Sequence, residues 1–225
     1  MSNLLKGSTR RLSIFDTFKT KTEERTGEAT RQRAIIGVLA SQTNPAERTR
    51  TSISQKIAAE QGIEWKNIYS GIFRDVDEIL IPLGLVEEEG RLPLKRGPKA
   101  LQEKGIPYYR LTKRGFLVAL SLKEVNRKRD ILAEFFENAE YAEKKNYEIL
   151  QKLAKVSPRF TFSLFEKYVK AYCEGKIKNL LPFSIENIKK VSDESLLIQR
   201  ELMEGFNNLA NSDKVTVINL LKTIS

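Results

Sequence analysis

Five cationic side chains lie within the 17-residue stretch Gly90–Ile106, which also contains a single acid and therefore has a net charge of +4. Glycine and proline punctuate the stretch, which is typical of a loop rather than a helix. Lysine binds phosphate by charge, and arginine adds paired hydrogen bonds. The sequence therefore predicts a phosphate-binding loop, whose candidate residues are Arg91, Lys95, Arg96, Lys99 and Lys104.

A second polar group belongs to a helix predicted from about Trp65 to Leu80. Apolar residues at helical spacing give this helix a core-facing side: Ile68, Ile72, Val76, Ile79 and Leu83. Polar candidates fall mostly off that side: Lys66, Asn67, Tyr69, Ser70 and Arg74. Asparagine matches the edge of adenine, and arginine matches guanine or a phosphate.

Thr51 and Ser52 begin the preceding helix, where amides and hydroxyls suit a phosphate. Ser52 and Gln55 also have the spacing of a capping box, so Ser52 has a purely structural interpretation as well. Gly62 is expected to end this helix in a left-handed conformation. Gly71 costs about 1 kcal/mol inside a helix, which suggests close approach of a neighbouring helix or of DNA.

Further elements place these candidates in a definite order along the chain. A helix is predicted over residues 29–42, and a short strand from Leu85 to Glu89 precedes the basic stretch. Tyr109 and Leu111 alternate with Arg110 in a returning strand, and Thr112 caps a helix from Lys113 to about Leu122.

Over residues 29–122 this order resembles the winged helix-turn-helix family of bacterial and archaeal regulators. The string Tyr109-Arg110-Leu111-Thr112-x-x-Gly115 is similar to the strand-to-helix ending that follows the wing in that family. The resemblance implies that the third helix enters the major groove and that Gly90–Ile106, called the wing below, contacts DNA. This wing is longer than is usual in the family.

The segment Lys95–Lys99 is similar to the core of an AT-hook but lacks the second arginine of that motif. Two interpretations of the wing therefore stay open, namely insertion into a narrow minor groove and contact with phosphates alone.

Residues 1–28 are interpreted as a flexible N-terminal arm, residues 29–122 as the winged-helix domain, and residues 123–225 as an all-α domain for dimerisation or partner binding. A long helix is predicted from Lys123 to about Val156. Its apolar stripe is expected to pair two copies: Leu132, Phe135, Phe136, Ala139 and Ala142. Aromatic residues in this half favour a core or dimer interface over a ligand pocket. The predicted fold is mainly α with a small β-wing.

Charge supports a polyanionic partner. The chain has a net charge of +10, and residues 1–125 contain 22 Lys/Arg against 15 Asp/Glu, a balance of +7. Twelve of the 16 arginines lie in that half. A positive half of this kind is typical of nucleic-acid binding, although charge also serves solubility.

Composition argues against an enzyme. Histidine is absent, which removes imidazole acid–base chemistry, Ser-His triads and nearly all zinc sites. Asp75, Asp77 and Glu78 fit a solvated helix face better than a metal site. We therefore expect no catalysis, cofactor or metal.

Cellular context is also indicated by composition. Cys173 is the single cysteine, which is typical of a reducing compartment. No run approaches 18 apolar residues and no signal peptide is recognisable, so we expect a cytoplasmic, nucleoid-associated protein without a membrane contact.

The sequence thus predicts a transcription regulator that binds double-stranded DNA sequence-specifically as a homodimer. The alternatives are a DNA-maintenance protein (an architectural, partition or replication-initiation factor) and a winged-helix adaptor that binds protein. The operator, any small-molecule effector and the sign of regulation stay open.

Overall fold

A computed structural model describes residues 11–19, 24–93, 105–137 and 141–224. Over these residues the protein is 66% helical with one two-stranded antiparallel sheet, which confirms the prediction of a mainly-α fold with a small β-wing. Four predicted wing residues lie outside the described residues: Lys95, Arg96, Lys99 and Lys104.

The elements up to residue 121 follow the predicted order. They are α1 (Gly27–Ser41), a 3-10 turn (Pro45–Arg48), α2 (Arg50–Gln61), α3 (Trp65–Arg74) with a π-helical continuation (Asp75–Leu80), β1 (Val86–Leu92), β2 (Ile106–Leu111) and α4 (Lys113–Ser121). Gly62 ends α2 with φ of 66°, as its position predicts. Thr112 caps α4, and its side chain accepts a hydrogen bond from the Gly115 amide.

The predicted long helix is divided in the structure. The remaining elements are α5 (Lys128–Phe136), α6 (Tyr141–Val156), α7 (Pro158–Cys173), α8 (Ile185–Lys190), α9 (Glu194–Asn208) and α10 (Asn211–Ile224). Helix α5 begins at Lys128, and not at Lys123 as predicted, because tertiary contacts hold the residues that precede it. Val125 is buried, and Glu124 accepts two hydrogen bonds from the Arg33 guanidinium at 2.6 and 3.1 Å.

The chain divides into two compact units, Met1–Ser184 and Ile185–Ser225, whereas the sequence suggested a boundary after Leu122. Helix α4 explains the difference, because its residues from Leu117 to Leu120 are fully buried and it packs against α5 and α7. Helices α5 to α7 therefore complete the core of the first unit. They do not form a separate domain.

The apolar stripe predicted to pair two copies lies largely inside this core. Leu132, Phe135 and Phe136 are only 1, 1 and 4% exposed. Phe183 packs against Phe135 with 6.1 Å between ring centroids, and against Phe165 with 5.2 Å. The described part of the stripe is consequently unavailable to a second copy. Ala139 and the side chain of Ala142 lie outside the described part of the chain.

The described part of the predicted N-terminal arm also packs into the core. Leu12 and Ile14 are 2% and 0% exposed. The Ser13 amide donates to Oε1 of Gln32, and the Arg33 guanidinium donates to the carbonyl oxygen of Ile14. These partners lie on α1, so the sequence pattern of residues 11–19 alone could not reveal them.

Candidate nucleic-acid interface

Helix α3 presents a cationic face to solvent. On its inner side Ile72 is fully buried, and Val76 continues that side in the π-helical segment. The outer side carries four predicted residues, all exposed: Lys66, Asn67, Ser70 and Arg74. Lys66, Ser70 and Arg74 are spaced by four residues and so lie in one line along the helix. No acid falls between Trp65 and Arg74.

Tyr69, the fifth candidate on this helix, is half-buried in an aromatic row. Its ring meets Trp65 edge-on at 5.6 Å and lies 6.3 Å from Phe73. Phe73 is 43% exposed and therefore borders the cationic face. The spacing of Trp65, Tyr69 and Phe73 at i, i+4 and i+8 is the sequence signal of this aromatic row.

Gly71 allows α1 to approach α3. A Cβ atom built on Gly71 would lie 2.9 Å from Nε of Arg31, so any side chain there would collide with that arginine. Arg31 Nε in turn donates to Oδ2 of Asp75 at 2.9 Å. The sequence suggested close approach of either a neighbouring helix or DNA at Gly71, and the structure shows the neighbouring helix, α1.

Asp75 anchors α3 in the core, contrary to the prediction of a solvated acidic face. Its side chain is fully buried, and its Oδ1 atom has no hydrogen-bond partner. Burial raises the pKa of this carboxyl, although the hydrogen bond and the charge of Arg31 act in the opposite direction. The Arg31–Asp75 pair therefore links α1 to the C-terminal end of α3.

Arg50 joins α2, α3 and β2. Its guanidinium lies 4.3 Å from the ring centroid of Phe73 and 4.9 Å from that of Tyr109, and it forms an ion pair with Asp77. Burial raises the pKa of Tyr109 to about 12. The sequence offered no signal for this junction, because its members are scattered over three elements.

The start of α2 differs from the prediction in detail. Thr49 is the N-cap, and its side chain accepts a hydrogen bond from the Ser52 amide at 3.2 Å. Ser52 Oγ donates to the carbonyl oxygen of Ala46 at 2.7 Å. Ser52 is thus engaged within the fold, and the predicted capping box is wrong. Thr51 is exposed. The Ile53 amide donates the first hydrogen bond of the helix, to the carbonyl oxygen of Thr49, so the Thr51 amide lies before the first intrahelical bond.

The base of the wing is paired internally. Arg91 donates to both carboxylate oxygens of Glu88 at 2.6 and 3.0 Å. Arg110 pairs with Glu87 at 2.7 Å, and Arg48 pairs with Glu89 at 2.5 Å. These three pairs carry no net charge. A phosphate that binds Arg91 must therefore displace Glu88, and the wing's unbalanced cations belong to residues 95–104, outside the described residues.

No protein-family model, curated protein or solved structure matches this chain. Within the described residues, no His, Cys, Asp or Glu side chains cluster in a way that would hold a metal ion. In that same part of the chain, every helix is too short or too polar to cross a membrane. The function must accordingly be inferred from the surface of α3 and its surroundings.

Proposed function

We propose that this protein is a transcription regulator that binds double-stranded DNA with α3 in the major groove. The observation that carries the proposal is the exposed, acid-free cationic face of α3, which stands beside α2 in a helix-turn-helix and is followed by a β-hairpin. This is the combination that groove-reading domains use.

The dimensions of α3 fit this role. Lys66 and Arg74 are eight residues apart, a distance of about 12 Å along a helix axis and close to the width of the major groove. Asn67 suits an adenine edge. Arg74 suits guanine or a phosphate, since its only carboxylate neighbour in the described structure is Asp75 at 3.8 Å. Lys66 is proposed to contact a phosphate.

Phosphate contacts on both sides of the groove are proposed to supply most of the affinity. The amide of Thr51, an exposed residue at the start of α2, offers one site. The wing offers the other through Lys95, Arg96, Lys99 and Lys104, and through Arg91 once a phosphate displaces Glu88 from it. Binding should therefore weaken steeply with salt, with a log–log slope of about −0.9 per neutralised phosphate.

A protein-binding adaptor is the second candidate function. It is favoured by two observations, the neutral base of the wing and the 43% exposed ring of Phe73 beside the cationic face. An adaptor would bind no duplex even at low salt, whereas an architectural DNA-maintenance protein would bind every duplex alike.

The test is fluorescence anisotropy on a duplex selected from a random pool. Lys66→Ala with Arg74→Ala should weaken binding, with about 1–3 kcal/mol lost for each base contact removed. The matched control is Lys152→Ala with Lys155→Ala, which removes two exposed cations from α6. The proposal fails if both double variants bind equally well, or if the unmodified protein binds no duplex at about 50 mM salt.

A further inference from the structure

Helices α9 and α10 carry apolar side chains that their own unit, Ile185–Ser225, does not cover. Eight of these side chains are 40 to 62% exposed: Leu197, Ile198, Leu202, Met203, Val215, Ile218, Leu220 and Leu221. Among the described residues of the unit Ile185–Ser225, none is buried. A unit of 41 residues without a buried core is too small to be stable unless another surface covers it.

The two helices enclose an open groove of about 720 Å³. Its floor is apolar and includes Leu202, Met203, Ile218 and Leu221. One rim is closed where Lys214 Nζ donates to the carbonyl oxygen of Asn207 at 3.1 Å. A long apolar groove between two helices accepts further helices, which interdigitate with its ridges.

We propose that a second copy of this chain covers the groove, so that two α9–α10 hairpins form a four-helix bundle. The exposed area supports this occupant. The four lining side chains leave roughly 300–400 Å² per copy, and the other four add a similar area outside the groove, for a total close to what each partner contributes to a standard stable interface. A second copy must therefore cover more of the hairpin than the groove itself.

Charge also favours a second copy. Helix α9 contains three acids and one arginine, a balance of −2, whereas α10 contains one acid and two lysines, a balance of +1. The proposed two-fold bundle is the one in which α9 of one copy lies beside α10 of the other. Unlike charges then face each other across the interface, which suppresses incorrect pairings.

This surface replaces the one that the sequence indicated. The stripe of α5 is buried in the first unit, so it leaves no face for a partner. The proposal is also independent of DNA binding, since the bundle uses no residue of α3 or the wing. Failure of either proposal would leave the other intact.

The experiment is sedimentation equilibrium of the full chain without DNA, at 1 to 50 micromolar. The monomer mass is 25.8 kDa, so the dimer is expected at twice that value. Leu202→Glu with Ile218→Glu places carboxylates in the groove and should raise the dimer dissociation constant at least about 100-fold, because burying an unpaired charge is costly.

The matched control is Val156→Glu, since Val156 is 81% exposed on α6 of the other unit. This variant should remain dimeric. Fluorescence of Trp65 monitors the first unit, and an unchanged emission spectrum in the groove variant would show that dissociation is not caused by unfolding there. A monomeric unmodified chain at 50 micromolar would overturn the proposal and would mean that a different partner covers the groove. Dimerisation that persists in the groove variant would overturn it equally.

Discussion

The substitution Arg31→Ala tests whether a buried ion pair holds α3 in place. Asp75 is fully buried, and Arg31, which is 22% exposed, is the partner that donates a hydrogen bond to it. Removal of one member of a buried pair usually costs about 3–5 kcal/mol because the remaining charge is uncompensated. Arg74 lies 3.8 Å from Asp75 and is 54% exposed, so it compensates little.

Protonation of Asp75 limits the loss. A carboxyl with an ordinary pKa of 3.8 takes up a proton at pH 7 at a cost of about 4.4 kcal/mol, and at pH 5 for about 1.6 kcal/mol, given 1.36 kcal/mol per pH unit. The electrostatic loss in Arg31→Ala should therefore be about 3–4 kcal/mol at pH 7 and roughly 2 kcal/mol smaller at pH 5.

The sign of this pH dependence follows from burial. Burial raises the folded-state pKa of Asp75 above its unfolded value, and removal of Arg31 raises it further. The contribution of Asp75 to stability is thus greatest below pH 3.8 and is lost as pH rises through the folded-state pKa. The variant should lose stability relative to the unmodified protein as pH increases from 5 to 7.

Urea denaturation followed by the fluorescence of Trp65, the only tryptophan, measures the loss. Arg31→Ala with Asp75→Asn should recover part of it, since no charge is then left buried. Arg91→Ala is the control, because its ion pair with Glu88 is 38% exposed on both sides and should contribute at most about 1 kcal/mol. A penalty for Arg31→Ala that is below 1 kcal/mol at pH 7, or equal at pH 5 and pH 7, would refute the reasoning.

Three further outcomes are expected from local geometry. Gly71→Ala should destabilise the protein in urea titrations because the new Cβ atom displaces Arg31. In the Arg31→Ala background the same substitution should stabilise the protein by up to about 1 kcal/mol, since alanine favours the helix. An effect of the same sign in both backgrounds would contradict this. Gly115→Ala should prevent folding, as judged by circular dichroism, because its Cβ would collide with a backbone carbonyl oxygen, whereas Gly37→Ala meets open space and should be neutral or stabilising. Burial raises the pKa of Cys173 to about 12. The reaction of this thiol with a disulfide reagent at pH 8 should therefore be slow in the folded protein and much faster in urea. Equal rates with and without urea would indicate an accessible thiol.

Local chemistry allowed the helices and their ends to be predicted from sequence. Helical spacing of apolar residues identified α3, and a glycine that favours positive φ ended α2 at Gly62. The exposed cations of α3 could also be predicted, because residues off an apolar stripe face solvent. In each case the deciding interactions join residues within about four positions of one another.

Long-range pairing decided what the sequence pattern could not. Asp75 and Asp77 have the spacing of a solvated acidic turn, yet Arg31 and Arg50 pair with them from other helices. Arg33 of α1 pairs with Glu124 in the same way, across 91 residues of sequence. Whether a charge is available to a ligand depends on which opposite charge the fold brings within about 4 Å, and sequence spacing does not encode that distance.

The apolar stripes show the same division. Periodicity correctly identified apolar helix faces in the C-terminal half of the chain, because every amphipathic helix needs a covering surface. Only the tertiary structure decided that Phe135 is covered within the first unit while Leu202 stays exposed. An apolar pattern specifies that a surface must be buried, but packing of the whole chain determines which surfaces remain for a partner.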